Sequence, residues 1–225
     1  VTRARRIAIA FPILALLAGA SVAAVRLGTA GDAVYAASAE VARWADTGQT
    51  PAREAVAELS AAVETAREAA PFDANAEELL GRLSVLDNAK AGFLDDAMGH
   101  YGRALALRPT SPYTWAAVVE ALYRKGDTGP RFWLALDRAA GLGPEEPAVQ
   151  RVVADYGLAL WDEAGPQARK TVEAAVTAEM KRGSRSILQV AERRGRLAVA
   201  CRHMGEALRP IDLQWLILCS REGTT

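Results

Sequence analysis

Few side chains in this sequence could do chemistry, and their spacing decides what that chemistry would be. Cys201 and Cys219 are the only cysteines in 225 residues. Two thiols can form a disulfide in an oxidising compartment or contribute to a metal site. Zinc needs clustered donors, such as C-x-x-C or paired histidines, and Cys201, His203, Cys219 and His100 show neither spacing, so no metal is expected. The alternatives for the thiols are a bridge that staples the end of the chain down or two buried free cysteines, depending on the distance the fold leaves between them. Asp95-Asp96 and Glu145-Glu146 are adjacent carboxylates, and adjacent positions on a helix do not face each other. They read as helix-start and surface charges. No serine stands in a Gly-x-Ser-x-Gly turn and no glycine-rich phosphate loop occurs, so neither catalysis nor a cofactor is expected. Tyr113, Trp115, Tyr123, Phe132 and Trp133 form an aromatic group at helical spacing, in which Trp115 and Phe132 read as core.

The elements that must hold these residues read as all-α. Alanine is abundant and β-branched residues rarely run together, which favours helix over sheet. Basic and acidic residues both number 27. Arg3, Arg5, Arg6 and Arg26 all fall in the first 26 positions, which hold no acid, so the remainder is mildly acidic. That balance argues against nucleic acid or an anionic membrane surface as the partner of the body.

Residues 7–25, IAIAFPILALLAGASVAAV, carry no charge. As a helix they would rise about 28 Å, against a hydrocarbon layer of roughly 30 Å. Three arginines precede this run and only Arg26 follows it directly, which puts the N-terminus in the cytoplasm and the rest outside. A cleaved signal peptide competes, since Ala18-Gly-Ala20 and Ser21-Val-Ala23 are suitable small-residue sites. The run is longer than the usual apolar core of about 7–15 residues in a signal peptide, which favours a retained anchor.

Along the chain, residues 1–30 read as a basic tip and membrane anchor, 31–71 as a helical stalk or degenerate first repeat, and 72–225 as a helical solenoid with a C-terminal cap. Within 31–71, one helix is expected over 33–46, with Val34, Val41 and Trp44 apolar and Gly48 as its stop. Thr50-Pro51 reads as the start of a second. Asp73 is a cap for a helix bearing Leu79, Leu80, Leu83 and Leu86. Pro112 opens a later helix, and Gly183 separates Val172, Val176 and Met180 from a helix over 184–204. The apolar end, IDLQWLILC, is too short to span a membrane and reads as a cover for the open end of the stack.

Gly92, Ala97, Tyr101, Ala104 and Pro109 stand at set intervals, followed by Trp115, Val118, Val119, Leu122 and Gly126, and then by Ala139 and Pro144. Ala104 to Ala139 and Pro109 to Pro144 are both 35 positions. These intervals resemble the tetratricopeptide repeat, a two-helix unit that stacks into solenoids. If Leu80-Gly81 is the Leu-Gly pair of one such unit, Gly92 arrives four residues late, which a longer first helix could absorb. The segments RALALRPTSPYTWAAVVEALYRKGD and RAAGLGPEEPAVQ, with the late cysteine and the anchor, resemble the membrane-anchored tetratricopeptide-like proteins of bacterial exopolysaccharide biosynthesis, the VpsP type. The resemblance is specific over about residues 76–160. It implies a non-catalytic scaffold at the bacterial inner membrane, with a periplasmic body and a membrane-embedded polysaccharide polymerase or exporter as partner. A generic periplasmic assembly or chaperone module is the alternative. In such repeats fixed positions of the first helix line the inner groove, and here these are Tyr113, Ala116, Glu120, Tyr123 and Arg124.

Overall fold

From residue 7 to residue 47 no position other than Pro12 strongly opposes a helix. Gly28 and Gly31 each cost about 1 kcal/mol against alanine, but many helix-forming neighbours outweigh them. The computed structural model, which describes residues 3–207 and 210–222 with side chains from Ile13 onward, accordingly has one continuous helix, α1 (Arg3–Thr47). The expected separate helix over 33–46 is its distal part, and the expected boundary at residue 30 lies inside it. The side chains of Arg3, Arg5 and Arg6, on which the orientation rests, lie outside the described ones. α1 is long and apolar enough to cross a membrane. All side chains from Ile13 to Thr29 are exposed, and Ala30 is the first that is buried.

The remaining helices are α2 (Arg53–Ala69), α3 (Ala74–Leu86), α4 (Phe93–Leu107), α5 (Pro112–Lys125), α6 (Pro130–Leu142), α7 (Pro147–Ala159), α8 (Pro166–Arg193), α9 (Leu197–Cys201) and α10 (Leu213–Glu222), with a 3-10 turn at Met204–Glu206. Among the described residues there is no strand. The chain divides into two compact units, residues 1–107 and 108–225. The boundary expected between residues 71 and 72 therefore lies inside the first unit, where α2 packs on α3.

In the first unit Ala30, Val34, Ala37, Val41 and Trp44 of α1 share a core with Val56, Leu59, Val63 and Ala66 of α2, and Ala70 just after it. Both series alternate steps of three and four, the seven-residue period of two helices packed as a coiled coil. Gly48, at φ +64°, ends α1 in the left-handed region. Thr50 does not cap α2, which starts at Arg53 after an Ala52 that makes no side-chain cap. The stretch 48–52 is used in reversing the chain. Asp73 does cap α3, its Oδ1 accepting from the Asn75 amide at 2.8 Å.

α3 and α4 form a tight antiparallel hairpin. A Cβ on Gly81 would stand 2.3 Å from Tyr101 Cε1, so the tyrosine ring packs directly against the backbone of α3. Ala97, Tyr101 and Ala104 are buried on the facing side of α4. The four extra residues ahead of Gly92 do not lengthen α3. They lie in the loop 87–92, which Gly92 closes at φ +76°.

The second unit stacks α5–α6 and α7–α8, with α7 packed on both α5 and α6, and α8 on α6. Helices α5 and α7 begin at Pro112 and Pro147, each a proline in the first turn, 35 positions apart. Ser111 caps α5 and Gly126, at φ +75°, ends it. Phe132, Leu136 and Ala139 are fully buried, as are Val149, Val153, Val172 and Val176. Gly157 repeats the role of Gly81, since a Cβ there would meet Val172 Cγ2 at 2.2 Å. Trp115 is half-buried rather than core, and its Nε1 donates to the Pro109 carbonyl at 2.9 Å. Gly183 leaves helical geometry inside α8 (φ −173°, ψ 94°), where a helix break is expected. The helix expected over 184–204 instead ends at Arg193. Gly195, at φ +66°, turns the chain into the short α9.

Replacing Gly81 with valine forces its side chain into the Tyr101 ring and lowers the unfolding free energy by about 1–3 kcal/mol. Gly102→Ala, where a Cβ meets open space, raises it by up to about 1 kcal/mol through helix propensity. Urea titrations of the full chain in detergent, followed by circular dichroism, read both effects.

Candidate functional site

The five positions expected to line an inner groove sit on α5, and the structure turns most of them toward α7. The Tyr113 hydroxyl donates to the Glu146 carboxylate at the start of α7. The ring of Tyr123 lies 4.9 Å from that of Tyr156 of α7, tilted by 56°. Ala116 is buried, so it is part of the packed floor and not of an open groove. Glu120 and Arg124 stay accessible and pair with each other at 3.7 Å, one turn apart. The expected groove is therefore a seam between two first helices of successive hairpins, with Glu120 and Arg124 on its rim.

Arg194, at the end of α8, completes the cluster. Its Nε donates to Asp155 Oδ1 at 2.7 Å, its Nη1 to the Tyr123 hydroxyl at 3.4 Å, and its guanidinium stands 5.6 Å from the Tyr123 ring and 5.8 Å from the Tyr156 ring. A delocalised cation over two ring faces is favourable and directional. The hydrogen bond that it donates to Asp155 holds the guanidinium pKa above its ordinary value. Burial pushes the Tyr156 phenol up to about 12, helped by the negative charges of Glu120 and Asp155. Asp155, Tyr156 and Arg194 were not legible as partners of Tyr123. Tyr156 shows in the sequence only as one member of an apolar stripe, and the residue before Gly195 carries no periodic signal at all.

A second polar cluster, in the first unit, was also missed. Glu77 of α3 is 3% exposed, yet its Oε2 lies 2.8 Å from His100 Nδ1 and 3.0 Å from Arg103 Nε, both on α4, with Arg67 of α2 3.9 Å from its other oxygen. A buried carboxylate is tolerated only when it is paired and hydrogen-bonded like this. Arg67 also binds Glu64 and holds that carboxyl below its usual range. The cluster ties three helices together.

Cys201 and Cys219 form a disulfide, with their Cα atoms 5.4 Å apart. It fastens α10 to α9, and Trp215 and Cys219 form the buried side of α10. The expected cap thus covers α9, while Leu213, Leu216 and Ile217 face outward. Asp95 and Asp96 lie in the first turn of α4, and Asp96 pairs with Lys90 at 2.7 Å. Glu146 is the N-cap residue of α7. Among the described residues no group of three or more histidines, cysteines or acids could hold a metal ion. The remaining repeat positions are structural: Val119, Leu122 and Ala139 are core, Gly92 and Gly126 are left-handed turn residues, and Pro109 and Pro144 lie in links between helices.

The seam thus gathers paired aromatic rings, a fixed cation and two accessible opposite charges in one place. No family model matches the chain, and no curated protein matches it either.

Two measurements probe this region. Because the folded-state pKa of Tyr156 is raised above the unfolded value, its contribution to stability is intact below about pH 10 and is lost as pH rises toward about 12. Tyr156→Phe removes that ionisation and shifts the alkaline limb of an ellipticity-against-pH curve to higher pH. Replacing Cys219 with serine opens an 18-residue separation and costs about 2–4 kcal/mol. Amide hydrogen exchange should show that loss as faster exchange confined to α9 and α10.

Proposed function

We propose that this protein is a non-catalytic, membrane-anchored scaffold that assists exopolysaccharide polymerisation or export at a bacterial inner membrane. The observation that carries the reading is the change of environment along α1. Seventeen successive residues, Ile13–Thr29, are exposed, and the same helix then enters the core of the first unit at Ala30. A bare apolar helix of this length is favourable in a bilayer and costly in water. The arginines at 3, 5 and 6 favour a cytoplasmic N-terminus, and a disulfide at Cys201–Cys219 suits an oxidising periplasm.

The hairpin stacking, the 35-residue offset of α5 and α7, and the Gly81–Tyr101 contact support a tetratricopeptide-like construction. Such stacks present side chains for contact rather than catalysis. Glu120, Arg124 and the Tyr123–Tyr156–Arg194 cluster are the recognition surface in this reading. The partner is a membrane-embedded polysaccharide polymerase or exporter, as the resemblance of residues 76–160 suggests.

Photo-crosslinking from position 120, one turn from Arg124, of the anchored protein in its native membrane tests this directly. Recovery of a polysaccharide polymerase or exporter is the expected result, and Arg124→Glu should reduce the yield several-fold at unchanged helicity. Recovery of an unrelated envelope complex would favour the generic assembly role instead. Full capture by Arg124→Glu would reject the seam as the contact.

A further inference from the structure

The turn between α2 and α3 carries the most exposed large hydrophobic residue among the described ones. Phe72 is 85% exposed. It does not sit on a loose loop: the Asp73 amide donates to the Ala70 carbonyl at 3.1 Å, and the Asp73 side chain caps α3. A rigid surface turn ordinarily takes polar residues, glycine or proline, so a bare phenylalanine beside Pro71 needs a partner.

The register of α1 and α2 says what that partner is. Arg26, Thr29, Ala30 and Ala33 of α1 line one groove with Ala62, Thr65, Ala66 and Ala69 of α2. The two helices run antiparallel, so the end of α2 descends beside Arg26, the first charged residue after the apolar run. Phe72 lies in the turn that follows, three residues past Ala69. α1 is unbroken through Gly28 and Gly31, so no hinge separates the apolar run from the packed half. The height of the turn above the span is therefore fixed by helix geometry.

We propose that Phe72 inserts into the interfacial layer of the bilayer that α1 crosses, on the side of the folded body, so that the first unit is seated on the lipid surface. This rests on α1 being a spanning helix. Aromatic side chains favour the headgroup boundary, and Arg26, at the same level, meets the lipid phosphates. Tyr35 is similarly bare at 78% exposed but lies nine residues beyond Arg26, about 13 Å further along the axis, and so stays in water.

The full chain, with its native disulfide, is reconstituted in phosphatidylcholine–phosphatidylglycerol vesicles with one nitroxide label each at Leu16→Cys, Tyr35→Cys, Phe72→Cys or Ala69→Cys. Collision with oxygen relative to a water-soluble nickel chelate reads the depth of each label. The expected order is Leu16 deepest, Phe72 and Ala69 at the interface, and Tyr35 in water. In the Ala69 background, where Phe72 is kept, Phe72→Asp lowers the oxygen-to-nickel ratio by at least about two-fold, since a charge leaves the interface. A lipid-exposed Leu16 label combined with a Phe72 label as wet as that at Tyr35 would overturn the seating and leave the span intact. A wet Leu16 label would overturn the span and the seating together.

Discussion

A single unbroken helix meets two environments, and the first unit is built around that fact. From Ile13 to Thr29 every described residue of α1 is exposed. From Ala30 the same rod must present a stripe narrow enough to pair with α2. Alanine makes the change possible, because it is compatible with lipid, with water and with a close helix contact. The stripe Ala30, Val34, Ala37, Val41 and Trp44 does this, and α3 also packs on α1. A hinge between the two halves would have left the apolar run free to swing against the packed half. The unbroken helix instead fixes one against the other.

The hairpins themselves depend on close backbone approach. Gly81 under Tyr101 and Gly157 under Val172 are the same device used in the two units. Each removes a Cβ at the crossing point so that a large side chain of the second helix can lie against the first. Buried alanines at 97 and 104 of α4 and at 175 of α8 lie in the second helices of the same hairpins. Density of this kind leaves little room for one-methylene changes, which is why stability here concentrates at glycine and alanine rather than at the leucines alone.

Much of this architecture was legible because it depends on local rules. Gly48, Asp73, Pro112, Gly126 and Gly183 punctuate the chain by backbone geometry and capping, and they act where their chemistry says they must. The failures share one cause. Continuity of α1 through Gly28 and Gly31, the passive role of Thr50 and the placing of four extra residues in the loop 87–92 were settled by competition between local preference and packing. A sequence shows the preference but not what it packs against.

The seam follows the same logic at longer range. Tyr123 was visible as a face residue of α5, but which residues of α7 and α8 meet it depends on how one hairpin stacks on the next. That stacking brings Asp155 and Arg194 to it from positions 32 and 71 residues further along. The result is a cation held by a carboxylate against two rings, with Glu120 and Arg124 left at the edge. Such a cluster is rigid because its members satisfy one another, and a rigid rim lets a partner bind without first ordering the surface. The residues that hold the stack together thus also shape its rim, so a change that loosens the seam alters the rim as well.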